Sequence, residues 1–200
     1  MTLESDQAMS TVTRPVAERS RPAASAELAH GDALVAAIVE AGFRFVTGVP
    51  DSALAGMCSA LDRQHRGQLF LPGTREDNCV ALAAGAQLAG TTPMVFMKSA
   101  GLGTCVDALT SLVEVYRIPL VLLISWAGYA GRDVPHHNVI GEVLEPVLEA
   151  LRIPARPARL GDPADVARAL RAAREAAERD RTVVAVLGIP ADLLEAADPA

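Results

Sequence analysis

Lysine is almost missing from this chain: of its 18 basic residues only Lys98 is a lysine. A general bias towards arginine accounts for the shortage, but not for the survivor standing beside a glycine turn. Aromatic residues make up only 4% of the sequence, so a core must be built from Ala, Val, Leu and Ile. That composition favours helices layered on a parallel sheet over an all-β sandwich. The three cysteines, Cys58, Cys79 and Cys105, are odd in number, far apart and without a Cys-x-x-Cys pair. They predict free buried thiols in a reducing compartment, and hence a cytoplasmic protein. No run approaches the ~18 apolar residues of a membrane span, and the first residues lack the apolar centre of a signal peptide. The net charge of −6, with no basic stripe interleaved with aromatics, argues against nucleic acid as a partner. The absence of any Gly-Lys-Ser/Thr excludes a Walker loop.

What is present alternates. Residues 1–24 mix Ser, Thr, Pro, Arg and Glu without periodicity and predict a disordered tail, and residues 25–200 predict one domain. Leu34, Val35, Ile38 and Val39 mark one face of a first helix that Gly42 ends. Strands follow at 43–47, 68–71, 93–98, 120–125 and 182–187, separated by helices at 53–61, 77–88, 104–115, 139–151 and 165–179. The unbroken apolar run Leu120-Val121-Leu122-Leu123-Ile124 suits a central strand buried on both faces. The expected fold is α/β, a three-layer doubly wound parallel sheet of about six strands. Ligands of such sheets bind beyond the carboxyl ends of the strands, so the turns at Gly48, Glu76, Ser99 and His136 belong on one edge.

Each of these turns carries a candidate and an ordinary explanation. Glu76 opens an Ala- and Gly-rich helix, where a carboxylate also serves the helix dipole. The run of small residues behind it calls for something packed very closely. The turn Ser99-Ala100-Gly101-Leu102-Gly103 follows a strand and lets backbone approach a ligand. It fails as a dinucleotide fingerprint, because Val106 stands at the third glycine position and the next strand ends in Ser125-Trp126 without an acid. His136 and His137 lie in a long polar loop, where imidazole suits proton transfer near neutral pH but equally a surface pair. No Cys or carboxylate shows the spacing of a zinc ligand set around them. Ser52 is placed to cap a helix, or to face a ligand at its N-terminus.

Taken together, Gly48-Val49-Pro50-Asp51-Ser52, Glu76 nine residues before Gly85, Ser99-Ala100-Gly101-Leu102-Gly103 and Arg117-Ile118-Pro119 leading into the 120–125 run resemble the pyrimidine-binding domain of thiamine-diphosphate-dependent 2-oxo acid decarboxylases. Within that family the likeness is to the phosphonopyruvate and sulfopyruvate decarboxylases, and it spans roughly residues 28–187. The resemblance implies that Glu76 hydrogen-bonds a ring nitrogen of the cofactor's aminopyrimidine. It implies that Val49, Pro50, Ser99, Gly101, Leu102 and Gly103 line the cofactor, that Ser52 lies beside the substrate, and that His136 and His137 handle protons. Lys98 is expected to hold a remote sulfonate or phosphonate as a point charge. A decarboxylase or carboligase of another 2-oxo acid, and a non-catalytic nucleotide-binding or regulatory domain, are the alternatives.

One absence bears on the resemblance. Thiamine enzymes hold the cofactor's diphosphate through Mg²⁺ on a Gly-Asp-Gly and a later Asn, and this sequence contains no Gly-Asp-Gly. No metal-binding residue is therefore expected here. The resemblance implies a separate beta subunit carrying the diphosphate and Mg²⁺ site, in a heterotetramer or larger assembly, unless the chain is half of a longer polypeptide.

Overall fold

The computed structural model describes residues 24–195, and the tail expected over 1–24 lies almost wholly outside them. Six strands form one all-parallel sheet: β1 (Phe45–Gly48), β2 (Phe70–Pro72), β3 (Pro93–Lys98), β4 (Leu120–Ser125), β5 (Ala155–Arg159) and β6 (Val183–Ile189), in the order β2-β1-β3-β4-β6-β5. The unbroken apolar run is the central strand β4, with every residue buried.

Alternate residues of the strands feed two cores. Val46, Met94, Phe96, Val121, Leu123, Val184 and Val186 pack against helices α1 (Ala24–Glu40), α2 (Ala55–His65) and α5 (Pro163–Asp180). Val95, Met97, Leu120, Leu122, Ile124, Ala185 and Leu187 face α3 (Glu76–Leu88), the helical stretch 99–114 and α4 (Pro135–Ala150). This is the doubly wound arrangement, three layers thick, and it follows from strands that are apolar on both faces. Helix α5 shows how the sequence specifies such a layer. Val166, Leu170, Ala173 and Ala177 recur every three or four residues and are buried. Its start is fixed by Asp162, whose carboxylate accepts from the amides of Ala164 and Asp165 at 3.0 and 3.2 Å, a cap stabilising by about 1 kcal/mol.

Four expectations need correction. β5 is a strand that periodicity does not reveal, because only Ala158 of Ala-Arg-Pro-Ala-Arg is buried at this sheet edge. Residues 104–115 do not form a regular α-helix: a 3-10 stretch, Ser99–Cys105, runs into a π-helix, Ala108–Glu114. His136 and His137 lie in the first turn of α4, which Pro135 opens, and not in a loop before it. Ser52 does not cap the helix after β1. Asp51 occupies that position, neither residue makes a capping bond, and Ser52 begins a short 3-10 turn, Ser52–Leu54.

The chain leaves β1 outward to β2 and then crosses back to β3. The segments after β1 and β3 therefore part company at the carboxyl edge of the sheet, where open α/β sheets form a crevice.

Candidate active site

Three contacts stitch that edge together, and two of them reach across the end of an intervening strand. The first joins α3, which follows β2, to the turn after β3. Glu76 is the first residue of α3, and the backbone of Gly101 passes directly beneath its side chain. A Cβ at Gly101 would stand 2.6 Å from Glu76 Cγ and 2.7 Å from its Oε1, closer than side chains tolerate. Thr104 donates to Glu76 Oε2 at 3.4 Å, and more firmly to the Gly101 carbonyl at 2.8 Å. Among the described residues Glu76 forms no ion pair, and it is half-buried. The small residues behind it now have a physical purpose. Cys79, Val80, Ala83 and Ala84 are buried, which lets α3 lie tight on the sheet.

The second contact joins the segment after β1 to the end of β4, over β3. Ser125 donates from Oγ to Asp51 Oδ2 at 2.5 Å. Ser125 is buried, so the acid beside Ser52 in the Val-Pro-Asp-Ser turn is anchored while Ser52 itself is exposed.

The third contact links β3 to α4. Lys98 Nζ lies 2.6 Å from His137 Nε2, and His137 Nδ1 lies 3.0 Å from Asp133 Oδ2. An ammonium has only donors, so when Lys98 donates to Nε2 the ring can carry a proton only on Nδ1, the nitrogen on the side of Asp133. The ring is turned so that this N–H does not point squarely at the oxygen, and Nδ1 is buried with no better partner among the described residues. Asp133 is itself held in place. Its Oδ1 accepts from the Val134 amide at 2.8 Å and its Oδ2 from the Gly128 amide at 3.2 Å. Burial pushes this carboxyl up, but the two amides and the His137 ring outweigh it and leave the group below the usual carboxylate range. Asn138 clamps the same turn, accepting from the Asp133 amide at 2.9 Å and donating to its carbonyl at 3.1 Å. Gly128, at φ +76°, allows the close fit, since any Cβ there would strike the His137 carbonyl. His136 is exposed and meets His137 edge to face, ring centroids 4.3 Å apart.

Of the candidates read from sequence, Glu76, Gly101, Lys98 and His137 thus fall on one edge in two contacting groups, linked along the chain by Ser99 and Ala100, and Ser99 and Leu102 are buried. Val49 is half-buried, whereas Pro50, Ser52, Gly103 and His136 are exposed on the same edge. Asp51, Ser125 and Asp133 escaped sequence reasoning. Asp51 lay inside a motif already singled out, but nothing in the spacing announced Asp133.

The residues fit the aminopyrimidine half of thiamine diphosphate. Gly101 lets the Glu76 side chain lie against bare backbone, and Ser99 Oγ is buried without a hydrogen-bond partner among the described residues. The family described as "Thiamine pyrophosphate enzyme, N-terminal TPP binding domain" matches residues 29–151. The chain belongs to this family. The sulfopyruvate decarboxylase subunit alpha of Methanothermobacter thermautotrophicus is 31% identical over 156 residues, which cover 78% of this chain and 93% of that one. A phosphonopyruvate decarboxylase of Streptomyces hygroscopicus is 33% identical over 150 residues, 71% of this chain but 37% of the relative. The 2-oxoglutarate:ferredoxin oxidoreductase from Magnetococcus marinus superposes with a TM-score of 0.61 at 16% identity, over 80% of this chain and 28% of its own, a likeness of fold. Among the described residues no helix is long and apolar enough to cross a membrane.

Proposed function

We propose that this chain is the alpha subunit of a split thiamine-diphosphate-dependent decarboxylase, acting on a three-carbon 2-oxo acid that bears a sulfonate or phosphonate at C3. The products would be carbon dioxide and the corresponding substituted acetaldehyde. The observation that carries the reading is the Glu76–Gly101 pair, an acid in the first turn of α3 laid over a turn that admits no side chain. A relative of nearly the same extent named as a subunit alpha supports it.

When bound, thiamine diphosphate supplies the activated carbon and the electron sink that decarboxylation of a 2-oxo acid requires. The work of this chain is to hold and to steer. Glu76 holds a proton at the ring nitrogen of the aminopyrimidine, and Gly101 with Ser99 sets the ring beside it. Lys98 offers the only lysine charge of the chain to the remote anion of the substrate. His137, with His136 outside it, is placed to move a proton at the reacting carbon once carbon dioxide has left. The diphosphate and Mg²⁺ fall to a separate beta subunit, in a heterotetramer or larger assembly in the cytoplasm.

Affinity purification of the chain from its own host, followed by mass spectrometry, tests this reading. A stoichiometric partner carrying Gly-Asp-Gly and a downstream Asn, giving a complex that binds thiamine diphosphate with Mg²⁺, is the expected result. A chain that purifies alone and binds no thiamine diphosphate contradicts it and favours a non-catalytic domain.

A further inference from the structure

We propose that Asp133 is a positioning residue that selects the tautomer of His137, and through it the hydrogen bond to Lys98. The inference rests on the decarboxylase reading for its catalytic consequence, but the tautomer itself is a property of this chain. Four residues before the histidine, Asp133 starts as a plain loop acid. An acid whose only task was to cap α4 would accept from the amides of the first helical turn. Its two oxygens instead accept from Val134, at the N-cap position, and from Gly128, back in the loop, and the second oxygen also stands 3.0 Å from His137 Nδ1. The side chains of His137 and Asp133 retain only 21% and 12% of their exposure, so water competes little for that ring nitrogen.

The chemistry follows from donors and acceptors. With an ionised carboxylate at Nδ1, the neutral ring carries its proton there and presents a lone pair from Nε2 to the ammonium at 2.6 Å. With the opposite tautomer, Nε2–H and Lys98 N–H would point at each other, and the contact would break. The Asp133 carboxylate thus orients the imidazole, and through Nε2 it fixes the contact with the Lys98 ammonium. A substrate anion that draws Lys98 away would leave the Nε2 lone pair facing the reacting atoms, ready to take and return a proton.

Asp133→Asn is the discriminating change. The amide oxygen can still accept from Val134 or Gly128, so the loop keeps its shape. The NH₂ group would donate to Nδ1, forcing the proton onto Nε2 and against Lys98. The experiment is long-range ¹H–¹⁵N NMR of ¹⁵N-histidine-labelled full-length chain at about pH 8, with the His137 signals assigned by their loss in His137→Gln, and steady-state kinetics on the complex with its partner. Expected are protonated Nδ1 in the unaltered chain, protonated Nε2 in Asp133→Asn, and a fall in kcat of at least about tenfold with KM for the sulfonate or phosphonate substrate changing far less. Protonated Nε2 in the unaltered chain overturns the proposal without any variant having to fold. So does an unchanged tautomer in Asp133→Asn, or a switched tautomer with kcat intact. If the complex acts on no 2-oxo acid, it is the decarboxylase reading that fails, and the NMR result still decides whether Asp133 sets the tautomer.

Discussion

Gly101 lies so close to Glu76 that the two cannot both carry side chains in their present positions. A methyl group there would stand within 2.6–2.8 Å of the glutamate's Cγ, Oε1 and Cδ. The fold can survive this, because Glu76 is at a helix start and can swing outward. The site cannot, because the acid would leave the crevice. Gly101→Ala is expected to keep its melting temperature within a few degrees while activity of the complex falls on the order of 10²-fold. A thermal melt and a thiamine diphosphate titration, run side by side, check both halves.

Lys98 is read as the holder of the substrate's second anion. Lys98→Met removes the charge and keeps most of the side chain's length. KM for 3-sulfopyruvate or 3-phosphonopyruvate should rise about tenfold or more, in line with the loss of a charge-assisted hydrogen bond worth roughly 1.5–3 kcal/mol, while KM for pyruvate changes little. Equal effects on both substrates would sink the assignment.

The thiols bear on stability more than on chemistry. Desolvation pushes Cys105 up to about 12, against a small opposing pull from the Thr104 hydroxyl, and Cys79 and Cys58 are also raised by burial. At about pH 8 the Cys105 thiolate is therefore on the order of 1 in 10⁴ of the population, and the folded chain should resist iodoacetamide at Cys79 and Cys105 until denaturant is added. The linkage has a definite sign. A thiol raised on folding contributes its stability in full below its unfolded value near 9 and loses it as pH climbs towards 12, so urea midpoints should fall across that alkaline window.

The sheet and the edge on which the candidate residues lie were legible because their signals are local. Strands such as β3 and β4 are buried on both faces and read as unbroken apolar runs, and the turn glycines sit directly after them. β5 was hidden because an edge strand need bury little, and its arginines and proline are what an exposed edge favours. The π-helix from Ala108 to Glu114 leaves no mark that a 3.6-residue period would show. The Lys98–His137 contact spans 39 residues and exists only because β4 neighbours β3 and α4 folds back over it. Pro135 was the overlooked hint that the histidines are helical, since proline favours the first position of a helix.

Three arginines, Arg117, Arg152 and Arg181, adopt positive φ where helices end, a conformation glycine takes without steric cost. Arg181 closes α5 at φ 50° and is exposed. Arg181→Gly should relieve the strain by more than the added freedom of the unfolded chain costs. The net gain is about 0.5–1 kcal/mol, or roughly 1–4 °C in melting temperature for a domain of this size. Differential scanning calorimetry would register it, and an unchanged or lower melting temperature would show that the left-handed cap carries no strain.

The most direct test of the whole account is the rate of carbon dioxide release from 3-sulfopyruvate and 3-phosphonopyruvate by the complex of this chain with its partner, compared between the unaltered subunit and Glu76→Gln. The change removes the shared proton and leaves the shape of the side chain intact. The account predicts turnover of at least one of the two substrates and a loss of about 10²-fold or more in the variant, with the complex still assembled. Full activity in Glu76→Gln, or an assembled and cofactor-loaded complex that decarboxylates neither, would contradict it.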